Sequence, residues 1–271
     1  MPPTGRKLVA DVNARRVPPG RCAFWWLGQH GFIVKLARSV LYLDAFLSPL
    51  KARLVRPLLT PEQATNADLF CGTHDHVDHI DRAAWPALAA ASPGAKFVVP
   101  ELLRQRLSAE LGVSPGRFLG LDDGKAVKVG DVKITGLAAA HELLAPDPAT
   151  GMHPYLGYVI EANGCRVYHA GDTCSYEGLQ TKLSAWRFDV AFLPINGRDA
   201  ERLRRNCIGN MTYQEAADLA GAIQPALTIP AHYDTFEGNR EDPSLFTEYM
   251  RVKYPRLKTR ICRYGQAVMA P

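Results

Sequence analysis

The sequence is short of several things, and each shortage narrows the field. Within its 271 residues no apolar run reaches the roughly 18 residues of a membrane-crossing helix, so no membrane span is expected. The opening Met1-Pro2-Pro3-Thr4-Gly5 lacks the apolar core of a secretion signal, and the expected location is the cytoplasm. The six cysteines (Cys22, Cys71, Cys165, Cys174, Cys207, Cys262) form no Cys-x-x-Cys pair, which argues against a thiolate metal site and a disulfide framework. They read as free thiols. Net charge is only +5, without a Lys/Arg block long enough for nucleic acid, so a small anionic substrate is the expected partner. No low-complexity linker divides the chain. A single domain over residues 1–271 is expected, with the Pro-, Gly- and Arg-rich residues 1–20 as an arm over the surface. A homo-oligomer is compatible with all of this.

Histidine is scarce too, with eight in the chain, yet three fall within six positions of Thr73-His74-Asp75-His76-Val77-Asp78-His79-Ile80. His74 and His76, two apart, point the same way on an extended segment but not on a helix. Neutral imidazoles beside carboxylates are a ligand set for zinc or a similar ion. The flanks are apolar (Leu69-Phe70-Cys71 before, Ala83-Ala84-Trp85 after), which places the cluster at the end of a buried strand rather than in a solvated loop.

Other polar residues close apolar strands in the same way. Val40-Leu41-Tyr42-Leu43 ends at Asp44, a carboxylate that is either a turn cap or a group orienting a metal-binding histidine. Val132-Lys133-Ile134-Thr135 runs on to His141, Cys165-Arg166-Val167-Tyr168-His169 to Gly171-Asp172, and Ala226-Leu227-Thr228-Ile229-Pro230 to His232. His30, in Gly28-Gln29-His30-Gly31, reads as a turn residue at the rim. Ser175–Ala185 reads as a helix, Lys258–Cys262 and Gln266–Met269 as closing strands, and Thr212 with Glu215 as a capping box opening a helix. Two β-rich halves flanked by helices give an α/β fold of four layers.

The ligands are too many for one structural zinc and enough for two ions. His74, His76 and His141 suit one, Asp78, His79 and His232 the other, and Asp172 a bridge. Such a pair holds a hydroxide between the ions and polarises a carbonyl or phosphoryl oxygen, which points to hydrolysis. Asp78 doubles as a catalytic proton acceptor, and Arg198 as a planar clamp on a substrate anion.

These motifs in this order, Thr73-His74-x-His76-x-Asp78-His79, His141, Gly171-Asp172-Thr173 and His232, resemble the metallo-β-lactamase superfamily. Trp26-Leu27-Gly28-Gln29, Tyr168 to Thr173, Pro194 to Arg198 and Ile229 to Asp234 resemble its L-ascorbate-6-phosphate lactonase-like branch. The resemblance implies an αββα sandwich of two pseudo-symmetric halves and a hydrolase with two divalent ions, zinc or manganese. A sugar-phosphate lactone is the implied substrate. A phosphodiesterase acting on a nucleotide or phospholipid head group is the alternative within the enzymes, and a non-catalytic metal-binding scaffold or sensor the alternative outside them.

Overall fold

The computed structural model describes residues 3–270. The first half of the chain forms α1 (Gly5–Ala14), β1 (Ala23–Gly28), β2 (Gly31–Leu36), β3 (Ser39–Leu43), β4 (Leu69–Cys71), α2 (Trp85–Ala91), β5 (Lys96–Pro100), α3 (Glu101–Leu111) and β6 (Phe118–Leu121). The second half forms β7 (Ala126–Val129), β8 (Val132–Ala138), β9 (Leu156–Ala162), β10 (Cys165–His169), α4 (Leu179–Leu183), β11 (Val190–Pro194) and α5 (Ala200–Arg204). It ends with α6 (Tyr213–Ile223), β12 (Leu227–Ala231), α7 (Pro243–Lys253) and β13 (Ala267–Met269).

The strands make two sheets, ordered β13-β1-β2-β3-β4-β5-β6 and β12-β11-β10-β9-β8-β7. Each begins as an antiparallel meander and finishes in parallel strands, β3 to β6 in one and β10 to β12 in the other. Alternation along the strands divides the apolar residues between two cores. Phe24, Phe32, Val34 and Leu41 meet Ile134, Tyr158, Ile160 and Phe192 between the sheets. Trp25, Ile33, Tyr42 and Phe97 face outward and are covered by Leu8 and Val12 of α1, Leu88 of α2 and Leu107 of α3. Helices α6 and α7 pack Leu219, Ala220, Phe246 and Met250 against the second sheet's cluster. Burying each such side chain contributes roughly 1.5–3 kcal/mol. The result is the expected αββα layering.

Three local expectations are corrected. Residues 5–14, read as part of an arm, are helical, because Leu8, Val9 and Val12 form an apolar stripe that seals the outer face of the first sheet. Residues 258–262 make a single bridge, Thr228 to Thr259, rather than a strand. The helix expected over 175–185 forms only at Leu179–Leu183, preceded by Gly178 in a left-handed conformation. The capping box of α6 is present as read, with Thr212 and Glu215 bonding each other's backbone N–H.

The buried Lys35 explains how α1 is held. Its Nζ donates to the carbonyl oxygens of Val12 (2.8 Å) and Asn13 (2.9 Å) at the last turn of α1. A cation there satisfies orphan carbonyls and opposes the helix dipole. Lys35→Met keeps the stem but removes the donors, and is expected to lower unfolding free energy by about 1–2 kcal/mol. Urea titration of the two proteins checks this; equal midpoints would show α1 to be held by packing alone.

Candidate metal centre

Every candidate ligand leaves the carboxyl end of a strand, and those ends meet along one edge of the paired sheets. Asp44 follows β3, His74 follows β4, His141 follows β8, Asp172 follows β10, and His232 follows β12 directly. The loop after β4 is wound by backbone bonds from His76 N–H to His74 O, and from His79 and Ile80 N–H to His76 O. Ile80, fully buried, pins its far end. Asp75 points away from the centre and is held by Arg82 and by Arg106 of α3. Gly171 permits the approach of Asp172: its φ is +62°, and a Cβ there would lie 2.5 Å from the Leu156 carbonyl oxygen.

The structure brings all seven candidate ligands together. His74, His76 and His141 offer donor atoms within 4.8 Å of one another, as do His74, His79 and Asp172, and Asp78, His79 and His232. Nε2 of His74 and Nε2 of His141 lie 2.9 and 3.3 Å from Nδ1 of His76. Asp172 spans the two sets, with Oδ2 3.1 Å from His232 Nε2 and 3.8 Å from His141 Nε2, and Oδ1 3.2 Å from His79 Nε2. Asp78 Oδ2 is 3.5 Å from His232 Nε2 and 3.6 Å from His79 Nε2.

The donor set fits a pair of divalent ions. Asp172 Oδ1 is buried without a hydrogen bond, the His79 contact lacking the required direction. An unpartnered buried carboxylate oxygen amid converging imidazole nitrogens marks a cation site. Burial holds His74 well below the usual histidine range and His141 down at about 4, so both are neutral, the form that ligates. Burial would also lower His79 and His232, but the carboxylates of Asp172, Asp44 and Asp78 outweigh it, raising His79 strongly and His232 to about 9. That concentration of negative charge calls for cations.

Behind the centre, Asp44 is completely buried and accepts four hydrogen bonds. Thr73 gives it a backbone N–H (2.9 Å) and a hydroxyl (2.8 Å), His79 its Nδ1 (2.7 Å) and His169 its Nε2 (2.9 Å). Burial pushes its carboxyl up, yet the two imidazoles hold it below the ordinary range. Bonding Nδ1 of His79 leaves Nε2 aimed at Asp172, which fixes the ring orientation a ligand needs. Gln29, which sequence reasoning missed, bonds Asp78 Oδ2 (2.8 Å) and lies 3.1 Å from His232 Nε2. The β1–β2 turn carries it there, and only its place beside Gly28 hinted at a special backbone. Gln29, Asp44 and His232 all have positive φ (53°, 42° and 60°). Such residues cost of order 1–3 kcal/mol each and gather where geometry matters more than stability.

Arg198 stands outside the ligand cluster: its guanidinium pairs with both Glu215 carboxylate oxygens (2.6 and 2.7 Å) and donates to the Asn210 carbonyl. One expectation is corrected: His30 is not at a rim. It is fully buried among the rings of His169, His79 and His232, because the β1–β2 turn tucks under the centre. A cleft of about 330 Å³ opens above the ligands, walled by Arg205, Asn206, Cys207, Ile208, Phe236 and Asn239.

The comparisons agree with this geometry. Residues 40–233 match the family model described as a beta-lactamase superfamily domain. The chain is 29% identical over 252 residues to a UPF0173 metal-dependent hydrolase of Aeropyrum pernix, covering 89% of this chain and 95% of that one. It is 27% identical to another from Caldivirga maquilingensis, over 91% of this chain and 97% of that one. Among solved structures, Igni18, a metallo hydrolase of Ignicoccus hospitalis, superposes with a TM-score of 0.71 at 24% identity, covering 93% of this chain and 99% of that one. Ordered motifs, two stacked sheets and matched relatives agree that the chain belongs to the metallo-β-lactamase superfamily of metal-dependent hydrolases.

Proposed function

We propose that this chain hydrolyses a lactone or ester bond of a small molecule, through two divalent ions held by His74, His76 and His141 and by Asp78, His79 and His232, with Asp172 between them. The observation that carries this reading is the meeting of seven His and Asp side chains, five of which line a cleft of about 330 Å³. Zinc or manganese there would supply a Lewis acid and bring the pKa of water close to neutral. The chain's own part is to position and to move protons. Asp78 lines the cleft and, though burial raises its carboxyl, His79 and His232 keep it ionised. It accepts the proton of the attacking water while Gln29 holds its Oδ2, and returns that proton to the cleaved oxygen, which becomes an alcohol hydroxyl. Water adds to the acyl carbon as the C–O bond breaks. Cys207 is a poor nucleophile in the same cleft, because burial pushes its thiol up. Arg205, which pairs with Glu201 (2.9 Å), is the cation in the cleft wall that supports an anionic substituent on the substrate, such as the phosphate of a sugar lactone.

Chelation followed by separate reconstitution tests the reading. Protein stripped with EDTA is expected to lose hydrolysis of lactones and esters and to regain it with Mn²⁺ or Zn²⁺, taking up about two ions per chain. Activity on phosphodiesters alone would reassign the substrate class; no ion uptake would sink the metal reading itself.

A further inference from the structure

The cleft over the centre has an apolar side room. Cys207 and Ile208 line both the cleft and an adjoining pocket of about 230 Å³, which Leu203 also walls. Two of the pocket's three charged groups already have partners: Arg198 holds Glu215, and Asp199 caps α5 and pairs with Arg202. What the pocket turns toward solvent is largely hydrocarbon, Leu203 being 66% exposed and Ile208 37%.

The ligand-bearing loops continue the pattern. Val77, between His76 and Asp78, is 51% exposed, and Leu143 and Leu144, just after His141, are 70% and 41% exposed. Large apolar side chains exposed singly are ordinary, but a group of them around one cleft marks a recognition surface. Here five stand on the three segments that carry or wall one centre.

The geometry points to a substrate with an apolar arm of several carbons. This rests on the hydrolase reading above. The scissile carbonyl lies over the His/Asp cluster, and the arm crosses Cys207 and Ile208 into the side pocket. Glu142 lines that pocket, so its carboxylate opposes a second anionic group on the arm. The substrate class is therefore an acyl- or alkyl-bearing lactone or ester, with any anionic group kept on the Arg205 side.

A homologous series tests this: p-nitrophenyl esters from acetate to decanoate, and γ-lactones of rising alkyl length, with protein loaded with Mn²⁺ and, separately, with Zn²⁺. In the unaltered chain kcat/KM should rise by roughly two- to fourfold per methylene until the pocket is filled. In Ile208→Asp the ratio of long-chain to short-chain kcat/KM should fall at least about tenfold. Leu203→Asp, at a more exposed position, makes the same measurement if the first variant fails to fold. Turnover that is flat with chain length overturns the apolar arm and leaves the hydrolase reading standing. No turnover of any member with either metal overturns that reading, and the arm with it.

Discussion

Asp172→Ala is expected to abolish hydrolysis, lowering kcat/KM by about 10³-fold or more, on the order of 4 kcal/mol of transition-state stabilisation. The size follows from position. Asp172 is a carboxylate within 4 Å of donors in both ligand sets, meeting His79 and His232 on one side and His141 on the other. Its loss leaves neither set intact, so bound metal should fall together with rate. The chain should still fold, because His79 keeps Asp44 and His232 keeps Asp78 as partners. Elemental analysis and near-ultraviolet circular dichroism separate the two effects. Rates within tenfold of the unaltered chain, with metal retained, would falsify the bridging role.

Asp44→Asn should act one step removed, and on two observables. Asn keeps the shape and tolerates the left-handed backbone at φ 42°. It removes the charge facing His79 and His169, and it cannot accept from all four donors with the same strength. Partners of this kind behind a ligand are worth about 10- to 100-fold in metal affinity or activity. Asp44→Ala, which strands two buried imidazoles, should also lower stability by about 3–5 kcal/mol. If Asp44→Asn bound metal as tightly as the unaltered chain, the orientation of His79 would have to come from packing alone.

Most of the centre was legible because the fold places its chemistry where apolar runs stop. A strand buried on both faces has no use for a charged residue, so His74, His141, Asp172 and His232 stood out at strand ends. Residues whose role depends on tertiary reach were not legible. Gln29 and Asp78 lie 49 positions apart, and nothing local joins them. The ion pair of Arg198 was not legible for the same reason. Glu215 was visible as a helix cap, but not the fact that its carboxylate also receives a guanidinium 17 residues away. His30 looked exposed because glycines flank a turn, whereas this turn is roofed by the second sheet's histidines. In α1 the apolar stripe of Leu8, Val9 and Val12 was hidden by its polar and proline-rich neighbours.

The ligands are drawn from both sheets, and this sets an order of events during synthesis. His79 and His232 are separated by 153 positions. At about 5–20 residues per second, the histidine-rich loop waits roughly 8–30 s for its last partner to leave the ribosome. Until then the nascent chain carries only part of the candidate ligand set, so the site is completed only by the closing of β12 against β11.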